Sequence, residues 1–553
     1  MMHQVYHKYF LFTAIALIGF GISGQSKDGS SRYLSAGGCS FISKDTARPE
    51  LPQLLHLDVH LDEVKQTMHS FGASDCWTTK FIGQWADEKK KNKIADLLFS
   101  MDTLADGSPV GIGLSLWRFN IGAGSYEQGD SSGIRTDWRR EECFLDVNGA
   151  YDWSKQAGQQ WFLRAARKRG VRYTLGFAIS PPVFMTKNGK AFSSGGTHFN
   201  IQPGKLSAYA DFLATVAAHF HFDYISPFNE PQWSWAGDKQ GLSSQEGSPA
   251  TDEDIVALVR SLSEKLSHSA AAAQVVVGEA GQWDFLYGRN NDHCGDQIRQ
   301  FFSASSPDHI GSLPHVAKII SSHSYFTTCP DDKLIGVRKK VADKIRSVDP
   351  AVQTWQSEFG VLGDICGQYN GAPRHTGMDY GLYVARVIHH DLTVADVTSW
   401  QWWLAVNPYD YSDGLVYINA PDGKINVDRC KEDGIVETSR QLWVLGNYAR
   451  FVRPGMQRIV ANVEEISDPL EAAGSIMVSA YKDAAHKRLV IVLINMSSQA
   501  AVLTLKEASL HLKGNVLDMF TTDASHDLKR SLTHADHIVA GARSVITLTG
   551  SYR

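Results

Sequence analysis

The sequence predicts an α/β chain, a closed (β/α)8 barrel of the TIM type with an attached all-β sandwich. Three observations predict it. Between about Gly72 and Arg450, short β-rich runs alternate with helix-period segments, the signature of repeated βα units around a parallel sheet. The strand-like runs in that stretch reach eight, the number that closes such a barrel. Beyond Pro454 the helical period gives way to strands joined by Gly, Asp, Asn and Ser turns. An open doubly wound sheet is the competing architecture, but no G-x-G-x-x-G opens a first strand-to-helix turn, where a dinucleotide would need it.

Taken in chain order, residues 1–24 read as a signal peptide, because Phe10 to Gly24 form an apolar run after a start carrying His and Lys. The run is shorter than the ~20 residues of a bilayer span, so an anchor is the weaker alternative. The mature protein is expected to be secreted, periplasmic or at the cell surface. Residues 25–45 are small and polar and read as a linker. Residues 46–70 alternate apolar positions and are expected to supply N-terminal strands to the sandwich. Residues 71–453 form the expected barrel, and 454–553 the C-terminal sandwich.

The eight expected barrel strands are "HSFGAS", "GIGLSLWRFN", "VRYTLGFAIS", "FDYISPFN", "QVVVGEA", "AKIISSHSY", "VQTWQSEFG" and "VTSWQWWLA". Between them, "KLSAYADFLATVAAHF" and "DEDIVALVRSLSEKL" carry apolar residues at helical spacing, the second after Thr251 and Asp252 as cap candidates.

With 54 basic and 59 acidic residues, a net charge of -5 gives no electrostatic reason to expect nucleic acid or an anionic membrane as partner. A neutral substrate is expected, and no later stretch is long and apolar enough to span a membrane. Seven cysteines without a C-x-x-C pair exclude a zinc ribbon, and an odd count leaves at least one thiol unpaired within the chain. No His/Asp/Glu trio shows metal spacing, so no metal or other cofactor is expected. Oligomeric state leaves no mark in the pattern.

A βα barrel carries its site at the C-terminal ends of its strands. Glu230 closes "YISPFNE" and Glu358 closes "TWQSE", about three βα units apart, which sets them across the mouth of an eight-fold ring. Two facing carboxylates suit glycosidic cleavage, one protonating the leaving oxygen and the other attacking or activating water. A structural ion pair is the alternative for each. Glu279, ending "VVVGEA", rivals them as a catalytic group or a sugar ligand. Asp75, in "FGASDCW", is placed to bind a hydroxyl, and Trp77 joins it among the substrate-binding candidates. Trp233 and Trp235 follow Glu230 and are candidates for the leaving-group side or for packing at the barrel lip. His323 reads as a site-wall histidine.

The ordered set "SFGAS", "LWRFNIGAGS", "ISPPVFM", "PFNEP", "SHSYF", "SEFG" and "QWWLAVNP" resembles glycoside hydrolase family 30, over nearly all of the mature chain. That family comprises retaining β-glycosidases built as a (β/α)8 barrel with a β-sandwich. The resemblance implies that Glu230 is the general acid/base and Glu358 the nucleophile, with Asn229 bonding the sugar 2-hydroxyl. It further implies that Arg118 holds the nucleophile's charge, that Tyr325 bonds the nucleophile and that Trp402 floors the sugar subsite.

Two positions depart from the glucosylceramide-cleaving branch: Ile179 stands where that branch has Trp, and Ser125 where it has Asp. "SPPVFMTKNG", "PFNEPQWSW" and "SSQEG" are similar instead to the branch that includes endo-β-1,6-galactanases. The expected substrate is therefore an oligo- or polysaccharide, with β-1,6-linked galactan first. β-Glucosidase or glucosylceramidase, β-fucosidase, β-1,6-glucanase and xylanase activities stay open, since one hydroxyl's orientation needs few altered contacts. A non-catalytic carbohydrate-binding protein on the same scaffold is the alternative of another class.

Overall fold

The computed structural model describes residues 54–553 apart from 289–290, 292 and 507–511. The expected leader, the linker and residues 46–53 lie outside the described residues.

The first strand, β1 (Leu54–Thr67), is followed by the barrel strands β2 (Ser70–Ser74), β3 (Leu116–Ile121), β4 (Tyr173–Ala178), β5 (Tyr224–Ser226), β6 (Gln274–Ala280), β7 (Val316–His323), β8 (Gln353–Phe359) and β9 (Ser399–Asn407). Each pairs in parallel with the next, and β9 pairs with both β8 and β2, so the ring closes at eight. The connecting helices are α1 (Glu88–Phe99), α2 (Ala157–Lys168), α3 (Leu206–Phe220), α4 (Asp252–Ser267), α5 (Asp331–Val348), α6 (Met378–Thr393) and α7 (Arg440–Ala449), with the short helix Gln297–Phe302 between β6 and β7. The barrel inferred from the sequence is thus present.

Local chemistry explains the boundaries. Thr251 and Asp254 form a reciprocal capping box that starts α4, and the Asp87 carboxylate accepts from the Lys89 and Lys90 amides to start α1. Strands β3 and β9 are buried along their whole length, as parallel strands enclosed by helices must be. The floor of the barrel is filled by Leu116, Leu175, Val276, Ile319 and Trp355. Below them the His69 ring stacks on Tyr173 and bonds Tyr224 Oη at 2.9 Å. Burial lowers the His69 pKa to about 4, so it plugs that end as a neutral ring. The open end is left for chemistry.

Strand β10 (Gly414–Asn419) adds to β9 in parallel and β11 (Ile435–Thr438) returns antiparallel. The remaining strands, β12 (Gln457–Val463), β13 (Ile476–Asp483), β14 (Arg488–Asn495), β15 (Ala501–Leu505), β16 (Val516–Thr522), β17 (Lys529–His534), β18 (Ile538–Ala540) and β19 (Ser544–Ser551), form with β1 a second, mostly antiparallel sheet. Its order is β17-β16-β19-β14-β13-β12-β1-β15-β18, with β1 lying between β12 and β15. Leu57 and Ile538 from one end of that order share a core with Leu517 from the other, so the sheet doubles over. Its other face meets the barrel, where Asn447 of α7 bonds Thr522 and Thr547. A disulfide joins Cys329, after β7, to Cys366, after β8. Cys76, Cys143 and Cys430 are buried thiols, and Cys39 lies outside the described residues.

Candidate active site

Strand alternation delivers the site's two cations. On β3, Leu116 faces the barrel floor and Arg118, two residues on, therefore faces the interior above it. On β7 the same period carries Ala317 and Ile319 to the floor and His323 to the top. The carboxylates arrive differently. Strict alternation after Trp355 would turn Glu358 outward, but the ladder slips between Gln356 and Phe359, and one extra residue re-aims Glu358 inward. The ladder of β6 slips likewise between Gly278 and Ala280. Gly278 has φ +108°, and a Cβ there would stand 2.4 Å from the Ser321 carbonyl, so glycine alone permits the bend that presents Glu279. Glu230 lies past the end of β5 in a left-handed turn, φ +46°, with its amide donating to the Glu279 carbonyl at 2.8 Å.

These elements bring the side chains together. Arg118 Nη1 donates to Glu358 Oε2 at 2.6 Å, and Nη2 donates to Glu279 Oε2 at 2.8 Å and Asn229 Oδ1 at 3.1 Å. Phe177 lies under the guanidinium, 3.6 Å from its carbon to the ring centre. His323 reaches Glu230 Oε1 at 3.0 Å through Nδ1 and Glu279 Oε2 at 3.2 Å through Nε2. Tyr325 Oη donates to Glu358 Oε1 at 3.2 Å. One oxygen of Glu230 and one of Glu358 lie within 4.8 Å of each other.

Electrostatics assign the charges. Burial works against the His323 cation, yet Glu358, Glu230 and Glu279 together raise its pKa to about 10, so at neutral pH it donates from both nitrogens. Burial would raise Glu279, but Arg118 and then His323 override it and hold the acid at about 2. Burial, helped by the Glu230 charge, holds the Glu358 carboxyl above the usual carboxylate range although His323 and Arg118 pull it down. Three carboxylates thus face two cations. Arg118 and Tyr325 both donate to Glu358 and hold its two carboxylate oxygens in place. The trio Glu230, His323 and Glu358 is close enough to surround a metal ion, but His323 already spends Nδ1 on Glu230 and Nε2 on Glu279.

The other expected residues stand around this cluster. Asp75 is fully buried, its Oδ1 accepting from the Asn120 amide at 2.8 Å while Oδ2 has no protein partner. Trp77 packs edge-on against Trp403, with Arg139 over its ring at 4.9 Å. Trp402 is completely buried against Phe359 and Trp400, and its Nε1 donates to the Asp413 carbonyl at 2.6 Å. Trp403, beside it, clusters with Trp77, Phe177 and Ile179. Trp233 sits edge-on to Phe285 and Phe326, and Trp235 Nε1 donates to the Glu230 carbonyl at 2.9 Å.

Ser125 and "SSQEG" turn out to be one feature: Ser125 Oγ donates to Glu246 Oε1 at 2.6 Å, and Glu246 Oε2 accepts from the Ala123 amide at 3.1 Å. An aspartate at 125 would set a second carboxylate against Glu246. Asp413 and Gln232 escaped the sequence reading. Asp413 is buried, which with Glu358's charge raises its pKa to about 6 against the pull of Arg139, and its Oδ1 accepts from the Asn407 amide nitrogen. In "YSDGL" it reads as an ordinary turn residue, and no local signal distinguishes it.

The family model for O-glycosyl hydrolase family 30 matches residues 55–417. A conserved exported protein from Bacteroides fragilis is 33% identical, over 89% of this chain and 100% of that one, with a TM-score of 0.83. The catalytic domain of a GH30 xylanase C from Talaromyces cellulolyticus is 19% identical over 90% of this chain and 100% of that one, with a TM-score of 0.64. An endo-β-1,6-glucanase is 14% identical over 90% and 94%, with a TM-score of 0.61. The last two share the fold.

Proposed function

The chain belongs to O-glycosyl hydrolase family 30 and is an O-glycosyl hydrolase, and from that premise we propose that it cleaves a neutral plant-type polysaccharide with retention of configuration, first among them a β-1,6-linked galactan. One observation carries retention: one oxygen of Glu230 and one of Glu358 lie within 4.8 Å of each other. Retaining enzymes hold their carboxyl groups about 5–5.5 Å apart, whereas inverting ones need about 6.5–9.5 Å to admit a water between them.

In the proposed cycle the Glu358 carboxylate attacks the anomeric carbon as Glu230 passes its proton to the departing oxygen. The glycosidic bond breaks and a glycosyl ester forms on Glu358. Glu230, now ionised, takes a proton from water, whose oxygen displaces the ester and restores the β configuration. Arg118 and Tyr325 hold the attacking carboxylate in line and receive it again on release. Asn229, fixed by Arg118, faces the sugar ring beside the acid.

The galactan assignment is supported by the "SPPVFMTKNG", "PFNEPQWSW" and "SSQEG" segments and by the Ser125–Glu246 hydrogen bond, which shapes this wall differently from a glucosylceramide-cleaving pocket. Export is supported by the apolar run from Phe10 to Gly24 and by the exported relative from Bacteroides fragilis. Among the described residues no helix is long and apolar enough to cross a membrane.

The test is time-resolved NMR of products from β-1,6-galactan, β-1,6-glucan and xylan. Retention requires the β-anomer to appear first. An α-anomer first would overturn it, and turnover of glucan or xylan with none of galactan would overturn the sugar.

A further inference from the structure

Gln232 is 4% exposed, yet neither its amide nitrogen nor its carbonyl oxygen has a hydrogen-bond partner. A buried amide without partners is costly to keep, so its persistence asks for a partner that arrives later. Gly281 shows where it points. A Cβ at Gly281 would stand 2.6 Å from Gln232 Nε2, 2.7 Å from Trp233 Nε1 and 2.8 Å from Glu230 Oε1. Two donors and the acid's oxygen therefore converge beside the same bare backbone.

The side of the cleft follows from the proposed roles. Glu358, Tyr325 and Arg118 interlock on the side where the sugar ring is attacked. Glu230 hands its proton to the departing oxygen, so side chains that flank its carboxyl and make no hydrogen bond to Glu358, Tyr325 or Arg118 stand beside the leaving portion. The wall continues through Trp233, which stands edge-on to Phe326, itself 36% exposed and held at φ +59°. An apolar ring face next to unspent amide and indole donors suits a pyranose, which offers an apolar face and an equatorial rim of hydroxyls.

Resting on the retaining reading above, we propose that Gln232, with Trp233, forms the subsite that holds the leaving sugar, recognising its hydroxyls as Glu230 protonates the oxygen between the two sugars. The subsite acts twice. After the first step it is vacated, and a second sugar entering it becomes an acceptor for the glycosyl group in place of water, so no atom beyond the two saccharides is required.

The test compares wild type with Gln232→Leu and Gln232→Glu on a β-linked galacto-oligosaccharide and on 4-nitrophenyl β-galactoside, whose leaving group carries no hydroxyl for the amide. For Gln232→Leu, kcat/KM on the oligosaccharide is expected to fall roughly tenfold, the loss of one hydrogen bond, with a smaller loss on the aryl glycoside and the melting temperature unchanged or raised. Partition of the glycosyl-enzyme to added oligosaccharide acceptor, measured against water, should fall by a similar factor, and Gln232→Glu should restore part of it. Equal losses on both substrates, or no loss on either, would overturn the subsite. No turnover of either substrate by wild type would instead overturn the proposed activity, and the two failures are distinguishable.

Discussion

Arg118 Nη1 lies 2.6 Å from Glu358 Oε2, and the guanidinium is wholly shut off from solvent. A buried pair of this kind contributes little over apolar packing, but removing one partner strands the other's charge at a cost of about 3–5 kcal/mol. Arg118→Ala is therefore expected to lower stability by about that amount in urea titration. Arg118→Lys keeps the charge but not the fork that spans Glu358, Glu279 and Asn229. It should fold, with kcat lowered by about 100-fold or more, as judged by steady-state kinetics.

The cluster also sets a stability profile with pH. His323 sits at about 10 against an ordinary 6.5, so its stabilisation is complete below 6.5 and is lost as pH rises through 10. Glu279 sits at about 2 against 4.5, so its contribution is present above 4.5 and is lost as pH falls through 2. Glu246, raised to about 8 chiefly by burial, is stabilising below 4.5 and loses that contribution as pH rises through 8. Urea midpoints should therefore peak in mildly acidic solution. Glu246→Gln should flatten the decline below pH 8, and His323→Gln the decline beyond it. An unchanged slope in either variant would show that the residue does not carry its part.

How much of this was legible differs from residue to residue. The barrel was readable because eight apolar runs and their helices repeat one local pattern, and Arg118 and His323 lie on the strand period. Glu279 and Glu358 break that period, and only their place at strand ends betrayed them, since a slipped ladder depends on neighbouring strands. Gln232 and Asp413 left no trace because their meaning lies in what surrounds them: an amide without partners, and a carboxyl with Glu358 as neighbour. The disulfide was equally hidden, because spacing among seven cysteines does not fix pairing.

Glu230→Ala separates acid from nucleophile. A natural sugar leaving group needs the proton and should lose about 10²–10⁴-fold in turnover, whereas an activated aryl glycoside needs little help on departure and should lose far less. Glu358→Gln should abolish turnover of both in a protein that still folds, with a lowered melting temperature because Arg118 keeps only Glu279 as a charged partner. Equal losses from Glu230→Ala on the two substrates would remove it as the acid.

The Cys329–Cys366 bridge spans 37 residues and ties the connection that follows Tyr325 to the one that follows Glu358. Cross-linking a loop of that length restricts the unfolded chain by about 3–4 kcal/mol. Cys329→Ser with Cys366→Ser, or reduction by dithiothreitol, is expected to lower the denaturation midpoint correspondingly. Because the site's own contacts run through Arg118 and His323, KM should shift more than kcat as the rim loosens.

Gly281 offers the sharpest test of how the acid is held. Its missing side chain is what lets Gln232, Trp233 and Glu230 Oε1 approach to within 2.8 Å of one point. Gln232 Nε2 and Glu230 Oε1 end flexible side chains, Trp233 Nε1 belongs to a rigid ring, and no positive φ constrains the backbone there, so Gly281→Ala should fold with some loss of stability as the three give way. The added methyl must nevertheless displace Glu230, and a displacement near 1 Å at a reacting group costs about 10²-fold. The expected signature is a fall in kcat on substrates with sugar leaving groups, a smaller fall on aryl glycosides, and a His323 titration moved downward by NMR, since Glu230 is one of the carboxylates that raise it. A folded variant that turns over every substrate at the wild-type rate would show that the acid's position does not depend on this glycine.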